Sequence, residues 1–146
     1  MKIKKAVIIG ICAGAAVIVL FTAMMIIGSS GAGSSVSAAR EYIEASMLYD
    51  ARGMVKVASD AQKTELYRTG ELPSDRELIR WLNESYSKVT SSYAGMKITF
   101  TVSEAHDDGK NGTVVLNIYA DGKKVLTRSC ATVKVGLRWY YDGEVK

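Results

Sequence analysis

Thr113–Lys124, TVVLNIYADGKK, is the stretch from which the fold can be read. Val114, Leu116, Ile118 and Ala120 recur at every second position, so they share one face of an extended strand. The Asp121-Gly122 pair that follows suits the left-handed backbone of a two-residue hairpin turn. The strand therefore doubles back, and the residues from Lys124 to about Val135 form its antiparallel partner. The alternation extends both ways. Upstream, in MKITFTVSEA, Met96, Ile98, Phe100 and Val102 alternate with Lys97, Thr99, Thr101 and Ser103, and HDDGKNG turns that strand into the next. Downstream, Gly136 turns the chain into a last strand. Its parity puts Leu137, Trp139 and Tyr141 on one face and Arg138, Tyr140 and Asp142 on the other. The outcome is a meander of about four antiparallel strands.

Before Met96 the apolar period is close to 3.6 residues. Ser35 or Ser37 can cap a helix running to about Tyr49, with Val36, Ala39, Tyr42, Ile43 and Met47 at helical spacing. Asp50 caps a second, with Met54, Val55, Ala58 and Ala61 on one side, and Ser59 with Gln62 marks a break in it. RTGELPS is a loop holding the single proline, Pro73. Ser74 and Glu77 form a capping box opening a third helix, whose stripe reads Leu78, Leu82, Tyr86, Val89 and Tyr93, with Gly95 as its stop. Two or three helices followed by a meander give an α+β fold, the helices lying on one face of the sheet.

The amino end is of a different kind. AVIIGICAGAAVIVLFTAMMIIG, Ala6–Gly28, carries no charge. As a helix it reaches about 34 Å, enough to cross a hydrocarbon core of about 30 Å. It exceeds the apolar run of a cleaved signal, although VSA at Val36–Ala38 keeps cleavage open as an alternative. Lys2, Lys4 and Lys5 precede the run and no charge follows it until Arg40, so the amino end lies in the cytoplasm and the rest outside. Residues 1–5 are thus a cytoplasmic tail, 6–28 a single-pass anchor in the cell membrane, 29–36 a Gly/Ser tether and 37–146 the extracytoplasmic domain. Gly10 and Gly14 form a GxxxG pattern through which two such spans can approach closely.

Those three lysines also explain the basic balance. The 19 basic residues less these three leave 16 against 15 acidic ones, which gives the exported part no electrostatic footprint for nucleic acid. Cys12 falls inside the apolar run and Cys130 far outside it, so they cannot pair within one chain. Ile11 before Cys12, and the few apolar residues ahead of it, do not suit a lipoprotein site. Cys130 reads as a buried free thiol.

The opening AAREYIEASMLYDARGMVKVAS, the hairpin NIYADGKKVLTRSCATVKV and the closing RWYYDG resemble nuclear transport factor 2-like domains, cystatin-like cones, and in particular the small exported versions in bacterial membrane proteins and lipoproteins. The resemblance covers about three-quarters of the chain. It implies a strongly curved sheet wrapped against helices around a cavity, with a tryptophan closing the sheet. Members include isomerases and dehydratases, binding modules, and scaffolds that dimerise through the sheet, so fold alone does not choose a function.

Six residues are candidates for the cavity or for contacts: Tyr86, Tyr93, Phe100, Glu104, Trp139 and Tyr140. Glu104 continues the apolar parity of its strand, which allows it to face inward, although a strand end that emerges into solvent favours an exposed or paired carboxylate. Trp139 reads as the core plug at the end of the sheet and Tyr140 as the exposed contact. His106, in EAHDDGKNG, sits in a solvated turn whose adjacent residues lack the converging spacing of a metal site, so no metal is expected. There is no GxSxG. GSSGAG lacks the strand that a phosphate loop needs before it, so no cofactor is expected. Asn83 and Asn111 match the glycosylation pattern by chance, one in a helix and one in a turn. A pilin would need an acidic residue early in the apolar run and one continuous helix.

The expectation is a membrane-anchored, extracytoplasmic, non-catalytic binding or assembly module, with a protein partner or a homodimer as its associations. Two alternatives stay open. One is a subunit of a type IV secretion or conjugation-like inner-membrane complex, which has this layout. The other is a small-molecule enzyme using Glu104 or a carboxylate of the first helix inside the cone.

Overall fold

The computed structural model describes residues 30–145 as four helices followed by a four-stranded antiparallel sheet. The helices are α1 (Ser35–Met47), α2 (Ala51–Val57), α3 (Asp60–Tyr67) and α4 (Asp75–Tyr86). The strands are β1 (Ile98–Asp107), β2 (Asn111–Ala120), β3 (Lys123–Val135) and β4 (Arg138–Glu144), in the order β1-β2-β3-β4. The tail, the apolar run at 6–28 with Gly10, Cys12 and Gly14, and the first tether residue lie outside the described residues. Among the described residues no helix is long and apolar enough to cross a membrane.

The β2–β3 hairpin forms as its sequence requires. Asp121 and Gly122 both take positive φ, and Ala120 pairs with Lys123 across them. Val114, Leu116, Ile118 and Ala120 are buried under α1. Each larger side chain of that row contributes about 1.5–3 kcal/mol by leaving water. Cys130 lies in the same core as a free thiol.

Every helix start is set by an oxygen capping its first turn. Asp50 accepts from the Gly53 N–H, Ser59 from that of Gln62, and Ser74 from that of Glu77, while the Glu77 carboxylate reaches back to the Ser74 N–H. The break at Ser59 separates α2 from α3, which is why four helices stand where two or three are expected. It also resets the phase, so α3 buries Gln62 and Lys63 and leaves Ala61 exposed. The cap of α1 is Ser34, one residue before the first of the two expected caps, and it accepts from the Ser37 N–H. Only part of the helical layer touches the sheet. α4 packs Leu78 and Leu82 against Ala51 and Val55 of α2, forming a second, smaller core behind the first.

The third expected helix ends early. Its stripe reads on to Tyr93, but α4 stops at Tyr86 and Val89 is 56% exposed. Hydroxyls explain the stop. The Ser87 hydroxyl donates to the Glu84 carbonyl, and that of Ser91 to the carbonyl of Met47, at the free end of α1. After Ser87 the ladder tightens to the i−3 bonds of Lys88 and Val89 onto Ser85 and Tyr86, and the chain beyond then serves another helix's carbonyl.

The expected tether is likewise more than a tether. Ala32 is buried and exchanges two backbone hydrogen bonds with Trp139, and the Gly31 N–H donates to the Lys56 carbonyl. Gly31 has φ +80, and a Cβ there would lie 2.7 Å from the Tyr140 ring and 2.9 Å from the Arg138 Cβ. Only glycine fits this crossing. Arg138 holds the segment from the other side, its Nη2 donating to the Gly31 carbonyl at 2.6 Å. These contacts form a latch that occupies the outer edge of β4 at Trp139. Ala58 and Ser59 occupy it at Tyr141. At the opposite side of the sheet, β1 is an edge strand with no described segment bridged to its outer side.

Candidate functional site

Three bulges bend the strands. Ser103 in β1, Val125 in β3 and Asp142 in β4 are each the extra residue where the register shifts. The bulge at Asp142, with Gly143 at φ +110, opens a groove of about 730 Å³ between α1, α3 and the ends of β3 and β4. Tyr42 from α1 and Tyr141 from β4 stack along it with ring centroids 3.8 Å apart and planes within 5°. Gln62 on α3 donates to the Tyr42 hydroxyl at 3.0 Å. The rim is polar, with Glu65, Asp142 and an ion pair between Arg128 and Glu144 at 3.0 Å.

Burial sets the chemistry of the wall. It pushes the Tyr42 phenol up to about 12 against the lowering effect of the Gln62 hydrogen bond, and it pushes Tyr141 up as well. Behind them, burial moves the Cys130 thiol from 9.0 to about 11. These groups hold their protons at ordinary pH, which suits a wall that stacks and hydrogen-bonds. The rim offers both signs of charge. Among the described residues no cluster of three or more His, Cys, Asp or Glu is placed to hold a metal ion.

None of the six residues singled out from the sequence lines this groove. Trp139 is buried as a core plug, with Lys134 Nζ 6.0 Å from its ring centroid. Tyr140 is half-buried instead of free, its hydroxyl 3.1 Å from the Ser30 Oγ. Phe100 lies under the Arg40 guanidinium at 5.6 Å. Tyr86 stacks on Tyr49 and donates to the Met54 sulfur, and Tyr93 packs at the margin of the main core. Glu104 does not face inward. The bulge at Ser103 pairs it with Val115 and turns it away from the helices, where its side chain is 62% exposed and bonded to His106 at 2.8 Å.

Nothing in the local sequence brings Tyr42, Gln62, Arg128 and Tyr141 together. Tyr42 sits on the apolar stripe of α1 and Tyr141 on the Trp139 parity, and each therefore reads as core. The available signal was Gly143, two residues after Tyr141, where a strand that must bend needs a glycine.

No protein-family model matches the chain, and no curated protein matches it. Among solved structures the chain is similar to a DUF4783 family protein from Bacteroides uniformis. The two are 12% identical, the match covers 73% of this chain and 96% of that one, and the TM-score is 0.37.

Proposed function

We propose that this chain is a single-pass, membrane-anchored binding or assembly module whose extracytoplasmic domain is a nuclear transport factor 2-like cone, and that the Tyr42–Tyr141 groove is its binding site. The observation that carries the reading is the groove itself. It is a bent-sheet concavity of about 730 Å³ with a stacked tyrosine wall whose phenols hold their protons, and a rim of mixed charge. Such a surface recognises a flat or apolar group with polar ends. The anchor follows from the uncharged run 6–28 behind three lysines. The cone is supported by α1 lying across a meander bent by three bulges.

A photo-crosslinker at Glu65, on the rim, tests the site in intact membranes, with Glu84 on the exposed face of α4 as the control position. The reading expects a discrete adduct from position 65 that is lost when Ser46→Trp fills the groove. Identical patterns from both positions, or none from 65, refute it. Alkaline carbonate extraction tests the anchor separately. The full chain stays with the membrane pellet, and release into the supernatant removes the anchor from the reading.

A further inference from the structure

The turn between β3 and β4 carries the most exposed apolar side chains of the described residues. Leu137 is 80% exposed and Val135 61%, although the sequence parity places Leu137 with the buried Trp139 and Tyr141. Leu137 lies in the turn itself, one residue before the ladder resumes at the Val135–Arg138 pair. A hairpin tip of this kind gains nothing in water from two large aliphatic side chains.

Its position supplies the reason. Arg138, the residue after Leu137, donates to the carbonyls of Ser30 and Gly31, and Ser30 lines a recess of about 430 Å³ together with Val133, Val135 and Tyr140. The tip therefore sits beside the point where the chain enters the domain. Gly28, where the apolar run ends, is two residues from Ser30. Two residues span at most about 7 Å in any conformation. The headgroup layer on each side of a hydrocarbon core is about 5–7 Å deep.

We infer that the β3–β4 tip is a lipid-contacting foot. Val135 and Leu137 enter the interfacial layer of the bilayer beside the anchor, with Tyr140 at headgroup level. This rests on residues 6–28 spanning the membrane. Three lysines have their backbone near the tip. Lys134 follows Val133 in β3, the Lys110 carbonyl accepts from the Lys134 N–H, and the Lys56 carbonyl accepts from that of Gly31. Acidic residues stand nearby as well and keep their charge, so the apolar tip and not a net positive charge carries the contact. Asp107 accepts from the Gly109 N–H, Asp108 from those of Lys110 and Asn111, and Asp142 from the Ser59 hydroxyl. Asp60 lies in the first turn of α3. An apolar tip with flanking lysines and a tyrosine is the composition of a membrane-interface contact.

The test uses the full chain in phosphatidylcholine vesicles with and without phosphatidylglycerol, in a Cys12→Ala background. Cys130 is buried and its thiol stays protonated, so it does not take up label in the folded protein. An environment-sensitive fluorophore is placed at Leu137→Cys, at Lys123→Cys in the turn at the other end of the sheet, and at Ile18→Cys. Quenching is read with spin labels carried shallow or deep on the lipid chains. The expected result is several-fold stronger shallow quenching at 137 than at 123 in both vesicle compositions, and deep quenching at 18. Deep quenching at 18 with equal, weak quenching at 137 and 123 overturns the foot and leaves the span standing. No quenching at 18 removes the span and the foot together. Shielding at 137 that rises with protein density and lacks lipid quenching means that a second copy covers the tip, and also overturns the proposal.

Discussion

Replacing Gly31 with alanine separates a latched domain from a tethered one. At φ +80 an alanine costs about 1–2 kcal/mol relative to its preferred conformations. Its Cβ would also stand 2.7 Å from the Tyr140 ring and 2.9 Å from the Arg138 Cβ, so one of these must move, at about 1–3 kcal/mol for an overpacked site. The chain has a second route, which is to let the latch go. That gives up Gly31 N–H to Lys56, both bonds of the Ala32–Trp139 pair, and Arg138 to the Gly31 carbonyl. At about 1 kcal/mol each the gross loss is about 4 kcal/mol, and the freedom regained by the released residues trims it. A net loss of about 2 kcal/mol is expected, which in urea lowers the midpoint by roughly 1 M. The assay is a urea titration of the full chain in mild detergent, with hydrogen exchange at the Trp139 amide to detect release. Gly33→Ala is the internal control. It is exposed with nothing within 4 Å, and its change should stay within about 0.5 kcal/mol. Coincident midpoints and exchange rates for the two variants would refute the latch.

Two further perturbations follow from the core and the caps. Cys130 and Tyr42 release their protons at higher pH in the folded chain, near 11 and 12, than their ordinary 9.0 and 10.0. Stability is therefore full below about pH 9 and falls as pH rises, through 11 for Cys130 and then 12 for Tyr42. Urea midpoints measured from pH 8 to 11 should decline above 9, with less decline in Cys130→Ser, and a flat profile contradicts the burial. Ser74→Ala should cost about 1 kcal/mol by removing the cap of α4. It should also let the Glu77 carboxyl, held low first by the Ser74 N–H and then by its hydroxyl, move back up in an NMR titration.

The sequence carries most of the sheet and little of the groove, and the reason is range. Hairpin turns, caps and alternation act over two to four residues, so Asp121-Gly122, Asp50, Ser59 and the Ser74–Glu77 box are all readable. Where a distant partner competes, local reading fails. Ser91 serves the Met47 carbonyl and ends the helix stripe short of Tyr93. Gly31 and Ala32 read as linker until Trp139 is placed beside them. Bulges fail for a different reason. One extra residue at Ser103 reverses the facing of Glu104, and serine carries no mark of it. The groove needs α1, α3 and two strands at once, and its tyrosines are chemically indistinguishable from core until they meet.

The unequal edges of the sheet bear on how many copies can join. A strand edge is a template for another chain, and here that template is partly occupied on one side. Backbone from Ala32 fills both outer groups of Trp139 and Ser59 fills the carbonyl of Tyr141, whereas the outward groups of β1, on every second residue, are bridged to no described segment. Edge-to-edge addition is therefore favoured through β1. Two copies joined through β1 would present the partly occupied margin of β4 at either end, which favours a pair over continued edge-to-edge growth.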